Sequence, residues 1–134
     1  MKKIVFVAVL VLMLIPFPSL VAPDWTVTVV DENHKPLKGV LVRESYKNYS
    51  FESEGHEVDA HSDQLGHASF ALKKLHPPLL MRMFGMARSA TGGVHASFGP
   101  YDYVLAFADD GAQGSSETWT GSPSHVQSVI VLKR

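Results

Sequence analysis

Cysteine is absent from the 134-residue chain. That excludes disulfides, zinc–thiolate sites, iron–sulfur clusters and a cysteine nucleophile. It also excludes the lipidated cysteine of a lipoprotein. A surplus of one charge is lacking too, since twelve Lys and Arg oppose thirteen Asp and Glu. Without a basic excess to neutralise phosphates, nucleic acid is not an expected partner. No Gly-x-Ser-x-Gly elbow and no glycine-rich phosphate loop occurs, so neither hydrolase nor nucleotide chemistry has a motif to rest on. Internal repeats and heptads are missing as well. The chain has the length of one ordinary domain.

What is present begins with an export pattern. Met1-Lys2-Lys3 is a basic head, and Ile4 to Ile15 is twelve apolar residues without a break. Pro16-Phe17-Pro18-Ser19-Leu20-Val21-Ala22 follows. Basic head, apolar middle and small-residue end make a secretory signal. Ala22 suits the −1 position of a cleavage site. Leu20 is bulky at −3, and the fixed φ of Pro23 at +1 resists the extended pose a protease needs. Residues 1–22 are therefore either a cleaved signal peptide, slightly favoured, or a retained N-terminal anchor. If they are retained, residues 4–22 are the membrane contact. Either way the chain is expected outside the cytoplasm, periplasmic or secreted, or held at the membrane. Residues 23–134 then form the domain. They carry ten basic and thirteen acidic residues and are long enough for a core without disulfides.

That domain reads as strands. Trp25 to Val29 alternates apolar and polar residues, the period of a half-buried strand. Gly39 to Arg43, Glu57 to His61 and Ala68 to Leu72 also read as strands. Tyr103 to Ala108, apolar on both faces, suggests a central strand, and Val126 to Leu132 closes the chain as another. Asp31 to Pro36 and Ser62 to Gly66 are turns. The fold class is all-β: an immunoglobulin-like or transthyretin-like antiparallel sandwich of about seven strands. A short helix of one or two turns is expected in residues 76–90, and a long exposed loop at 109–123. Val27, Val29, Val40, Val42, Val58, Phe70, Leu105 and Val131 are the expected core.

Two stretches carry a resemblance. Val27-Thr28-Val29-Val30-Asp31 with Pro36-Leu37-Lys38-Gly39-Val40-Leu41-Val42 resembles the first hairpin of carboxypeptidase regulatory-like domains. Ser62-Asp63-Gln64-Leu65-Gly66, followed by Phe70, is similar to that family's Thr-Asp-x-x-Gly turn. The resemblance covers residues 25–72 and implies a transthyretin-like or collagen-adhesin-like (CnaB-like) sandwich. His34 departs from it, because a Gly is common there. The resemblance implies a folding module, not a chemistry. Hydroxyisourate hydrolases of similar fold end in a Tyr-Arg-Gly-Ser-type tail, and this chain ends Val131-Leu132-Lys133-Arg134. Collagen-adhesin-type modules cross-link a first-strand Lys to a last-strand Asn or Asp. Neither is present on the strands at 25–28 and 126–132, so no such bond is expected.

The remaining candidates are polar clusters. Asp59, His61 and Asp63 share one strand face with Glu57 at period two, and imidazole with carboxylate suits a first-row metal. Met81, Met83 and Met86, flanked in sequence by His76 and His95, offer soft thioethers for copper. Tyr46, Tyr49 and Phe51 could form a surface for a protein or carbohydrate partner. The first expectation is thus a non-enzymatic, cofactor-free exported module with a structural or interaction role in the cell envelope. The alternative is an extracytoplasmic copper- or zinc-binding protein.

Overall fold

The computed structural model describes residues 1–134. Helix α1 (Lys2–Leu14) is followed by strand β1 (Ser19–Ala22), then β2 (Asp24–Val30), β3 (Leu41–Asn48), β4 (His56–His61), β5 (His67–Phe70) and β6 (Lys73–Leu75). Helix α2 (Leu79–Ala90) and a 3-10 turn at Gly93–His95 come next. The chain closes with β7 (Pro100–Phe107), β8 (Gln113–Ser115) and β9 (His125–Val131). The sandwich is built from a three-stranded sheet, β5-β2-β9, and a four-stranded sheet, β4-β3-β7-β8. A short ribbon of β1 and β6 packs on β3 and β7. The neighbours pair antiparallel except β2 and β9, which run parallel.

The core sits between the two larger sheets. Trp25, Val27 and Val29 of β2 and Ala68 and Phe70 of β5 meet Val42 of β3 and Val104 and Ala106 of β7. Alternation dictates this: every second residue of each strand faces inward. The two motif turns close one end of the sandwich. Asp31 Oδ1 accepts the backbone N–H of Asn33 and Lys35, which lets His34 take a φ of 61°. Asp63 Oδ1 accepts those of Leu65 and His67 in the same way. Gly66 has φ 77°, and a Cβ there would lie 2.5 Å from the Val29 carbonyl oxygen. Only glycine lets the second turn seat against the first strand.

Several expectations are corrected. Leu105 and Val131 are half-buried, while Val104, Ala106, Ile130 and Leu132 fill the core. These strands are apolar on both sides, so hydropathy alone leaves their phase open. Val58 lies opposite Glu44, on the inward-facing side, yet it is 37 % exposed. It sits on the sheet's edge strand, beyond the cover of the opposing sheet. Residues 109–123 are not simply an exposed loop. They contain β8 and bury Ala112 and Trp119. Trp119 also exchanges two backbone bonds with Asp102. The helix expected within 76–90 runs twelve residues, a little over three turns. The domain boundary expected after Ala22 separates β1 from the sandwich, although Val21 and Ala22 are fully buried.

Val42 is fully buried in the core. Val42→Ala removes two methyl groups and should cost about 2 kcal/mol by lost burial and a residual cavity. Val58→Ala should stay within about 0.5 kcal/mol, as for a surface change. Guanidinium unfolding of the two variants checks the register, and equal losses would contradict it.

Candidate functional site

The strand face read as a metal site is occupied by an ion-pair network. Arg43 of β3 lies across from Asp59 of β4. Its Nε and Nη2 donate to the two carboxylate oxygens at 2.6 and 2.8 Å, and Nη1 sits 3.3 Å from Glu57. The guanidinium holds Asp59 below the usual carboxylate range. Asp63 is committed elsewhere, its oxygen capping the 63–67 turn. The N–H groups of His67 and Leu65 keep it below the usual range as well. His61 is left on the edge strand with carboxylates whose charge is already balanced or bonded. Nowhere in the chain are three His, Asp or Glu side chains gathered closely enough to hold a metal ion. The three thioethers diverge also: Met81 borders a cleft, whereas Met83 and Met86 project from other sides of α2.

The aromatic trio is likewise divided. Phe51 is buried, with the Arg82 guanidinium over its ring, so it belongs to packing and not to an exposed patch. Tyr49 meets Tyr101 edge-on, and Tyr101 meets Tyr103, at centroid distances of 6.1 and 5.7 Å. This ladder lies along the four-stranded sheet, with Lys47 Nζ 4.9 Å from the Tyr49 centroid. Tyr46 falls in phase with Val42 and Glu44, on the inward side, and its ring stacks on His56 at 5.0 Å.

His56 opens onto a cleft of about 480 Å³ between the 51–56 segment and the start of α2. Phe51, Leu75, Pro77, Pro78 and Met81 give it an apolar wall. Glu52, His56 and His76 supply its polar groups. Glu52 is fixed from both sides. One oxygen accepts the Asn48 backbone N–H at 2.7 Å, and the other bonds His56 Nε2 at 2.7 Å. The imidazole is thereby oriented, clamped between a carboxylate and a tyrosine ring.

Behind Tyr46 lies a feature that the sequence reading missed. Glu44 and Asp102 are fully buried, on adjacent inward positions of β3 and β7. Lys73 of β6 donates to Glu44 Oε2, and its Nζ sits 4.7 Å from the Tyr46 centroid. Neither oxygen of Asp102 accepts a hydrogen bond, nor does Glu44 Oε1. Two buried carboxylates side by side with one cation are untenable in a low-dielectric interior. Burial, and then the neighbouring Glu44 charge, push Asp102 up to about 8. Burial also raises Glu44, with Lys73 pulling the other way. With Asp102 pushed up to about 8 and Glu44 also raised, the pair favours holding one shared proton at neutral pH, and Lys73 opposes the remaining negative charge. Inspecting only the first and last strands for a Lys and a carboxyl overlooked this set, because β3, β6 and β7 supply it. The available signal was phase: Glu44 lies two residues from Val42, and Asp102 two from Val104. Comparison of the chain with protein-family models and with curated proteins returns no match.

Asp102 ionises near pH 4 in an unfolded chain and near 8 in the fold. The folded chain binds the extra proton across that window, so its stability should fall as pH rises from about 4 to about 8 and then level off. Asp102→Asn keeps the shape and removes the titration. Its unfolding midpoint should change less between pH 5 and 8 than that of the parent chain. Parallel profiles would show that Asp102 is ionised in the fold at neutral pH.

Proposed function

We propose that the protein is an exported, non-enzymatic β-sandwich module of carboxypeptidase regulatory-like type, with a structural or interaction role in the cell envelope. One observation carries the reading. The residues with motif spacing, Asp31, Ser62, Asp63 and Gly66, all have structural tasks: they cap turns, bond backbone groups or admit a close approach. Of the polar side chains read as ligands, Asp59 is bonded to Arg43 and Asp63 to backbone N–H groups. Among the surfaces open to a partner are the cleft beside His56 and the Tyr49–Tyr101–Tyr103 ladder. A protein segment or a sugar ring fits such surfaces, since both offer apolar faces with polar edges.

Export rests on the basic head and apolar run of α1. The continuity of that segment with the sandwich favours retention over cleavage after Ala22. A cut there would strip a strand whose last two side chains are fully buried, together with its pairing to β6. Fractionation of the producing cell should recover the protein outside the cytoplasm. Mass spectrometry of that material should find Ser19–Ala22 still attached. Full-length soluble protein in the cytoplasm would defeat the export reading. A stable mature chain starting at Pro23 would defeat the retention reading alone.

A further inference from the structure

Helix α2 is amphipathic in the reverse sense. Its side toward the sandwich is polar or small: Arg82, Gly85 and Ser89 follow each other at three- and four-residue steps. Arg82 donates to the Phe17 and Pro77 carbonyls and to Ser19 Oγ. Ser89 Oγ donates to the Tyr49 carbonyl at 2.5 Å. Gly85 is pressed so close that a Cβ would lie 2.1 Å from the Ser50 carbonyl oxygen. The side away from the sandwich carries Met83 and Phe84, with Leu79 and Met86 on its flank, all exposed, Phe84 to 71 %. Val94, 96 % exposed, and Phe98 follow directly. A helix normally buries its apolar stripe and shows water its polar one. Here hydrogen bonds hold the polar stripe inward, and the apolar stripe is left for something outside the sandwich.

Charge and position indicate what that is. From Gln64 to Tyr101 there is no acidic residue. Of the basic residues in that span, Lys73 is paired with Glu44 and Arg82 is turned inward, while Lys74 and Arg88 are exposed. Helix α1, apolar on all sides behind Lys2 and Lys3, packs beside α2. The bases of the two helices are fastened together, with Pro16 bridged to Pro78 and the Phe17 N–H bonded to the Pro77 carbonyl. No helix of the chain is long and apolar enough to cross a membrane. Thirteen residues of α1 extend about 20 Å, short of a hydrocarbon core of about 30 Å. A segment without acidic residues that turns an apolar face outward beside a short apolar helix matches the chemistry of helices that lie in a lipid interface.

We propose that the outward face of α2, with Val94 and Phe98, is a second membrane contact that seats the sandwich on an anionic lipid surface beside α1. It is a property of the folded domain and does not depend on how the chain is exported.

The lack of native cysteine makes the test direct. A single Phe84→Cys, Met83→Cys or Val129→Cys substitution in the full-length chain takes one environment-sensitive fluorophore. Val129 is exposed on the other sheet and serves as the reference. The labelled chains are placed on vesicles of phosphatidylethanolamine with phosphatidylglycerol. Probes at 83 and 84 should shift to the blue, lose quenching by aqueous iodide and gain quenching by brominated lipid, whereas the probe at 129 should do none of these. The effect should weaken in added salt and on phosphatidylcholine vesicles. Equal iodide access at 84 and 129 on vesicle-bound chain would overturn the proposal. So would protection at 84 without lipid quenching, together with disulfide capture of two Phe84→Cys chains, which would assign the face to a second copy. Lipid quenching that is indifferent to headgroup and salt would overturn the anionic preference.

Discussion

The fold depends on one interlock, the seating of the 62–66 turn against the first hairpin. Ser62 makes it from its hydroxyl, which donates to the Leu37 carbonyl and accepts the Val40 N–H. Its backbone exchanges bonds with Val40 and Gly39. Gly66 completes it, accepting the Val29 N–H with its Cα packed where a side chain would strike the Val29 carbonyl. These contacts join β2 and β5 in one sheet to β3 and β4 in the other. They set both the distance between the sheets and the register in which Val27, Val29 and Val42 meet. Residues far apart in sequence are fixed by a few short bonds that leave little room for substitution.

A second constraint is electrostatic and acts at the ribbon. Glu44 and Asp102 form a buried acidic spot on the inner face of β3 and β7, and Lys73 from β6 is its counter-charge. A buried ion pair adds little net stability over an apolar pair, but loss of one partner is expensive. The arrangement therefore specifies where β6 docks, and with it β1, its pairing partner. Tyr46 transmits the same placement to the cleft, since its ring touches Lys73 on one side and His56 on the other.

Sequence reading reached what local chemistry encodes. The Asx-type turns at Asp31 and Asp63, the positive φ of Gly66 and the inward valines of β2 and β3 follow from side-chain oxygens, missing Cβ atoms and period-two alternation. It failed where the deciding term is long-range. Leu105 and Val131 belong to strands apolar on both faces, so only the opposing sheet fixes their phase. Trp119 looked exposed among Gly and Ser, and is buried because its backbone bridges Asp102. Asp59 and His61 share a face as read, but Arg43, sixteen residues from Asp59, arrives from the next strand and takes the carboxylate. Glu44 was readable by phase and was missed because a carboxylate at a core position runs against the usual preference.

Four residues, Ile15 to Pro18, connect α1 to β1. Two of them are prolines, and fully stretched they span about 14 Å. Such a link is a stiff coupling instead of a leash. A pull on α1 loads first the bonds that tie Pro16 and Phe17 to Pro77, Pro78 and Arg82, and only then β1. Peeling of Ser19–Ala22 from β6 follows the release of that clasp, while the two larger sheets, joined at their far end by the Ser62 bonds, bear the load last.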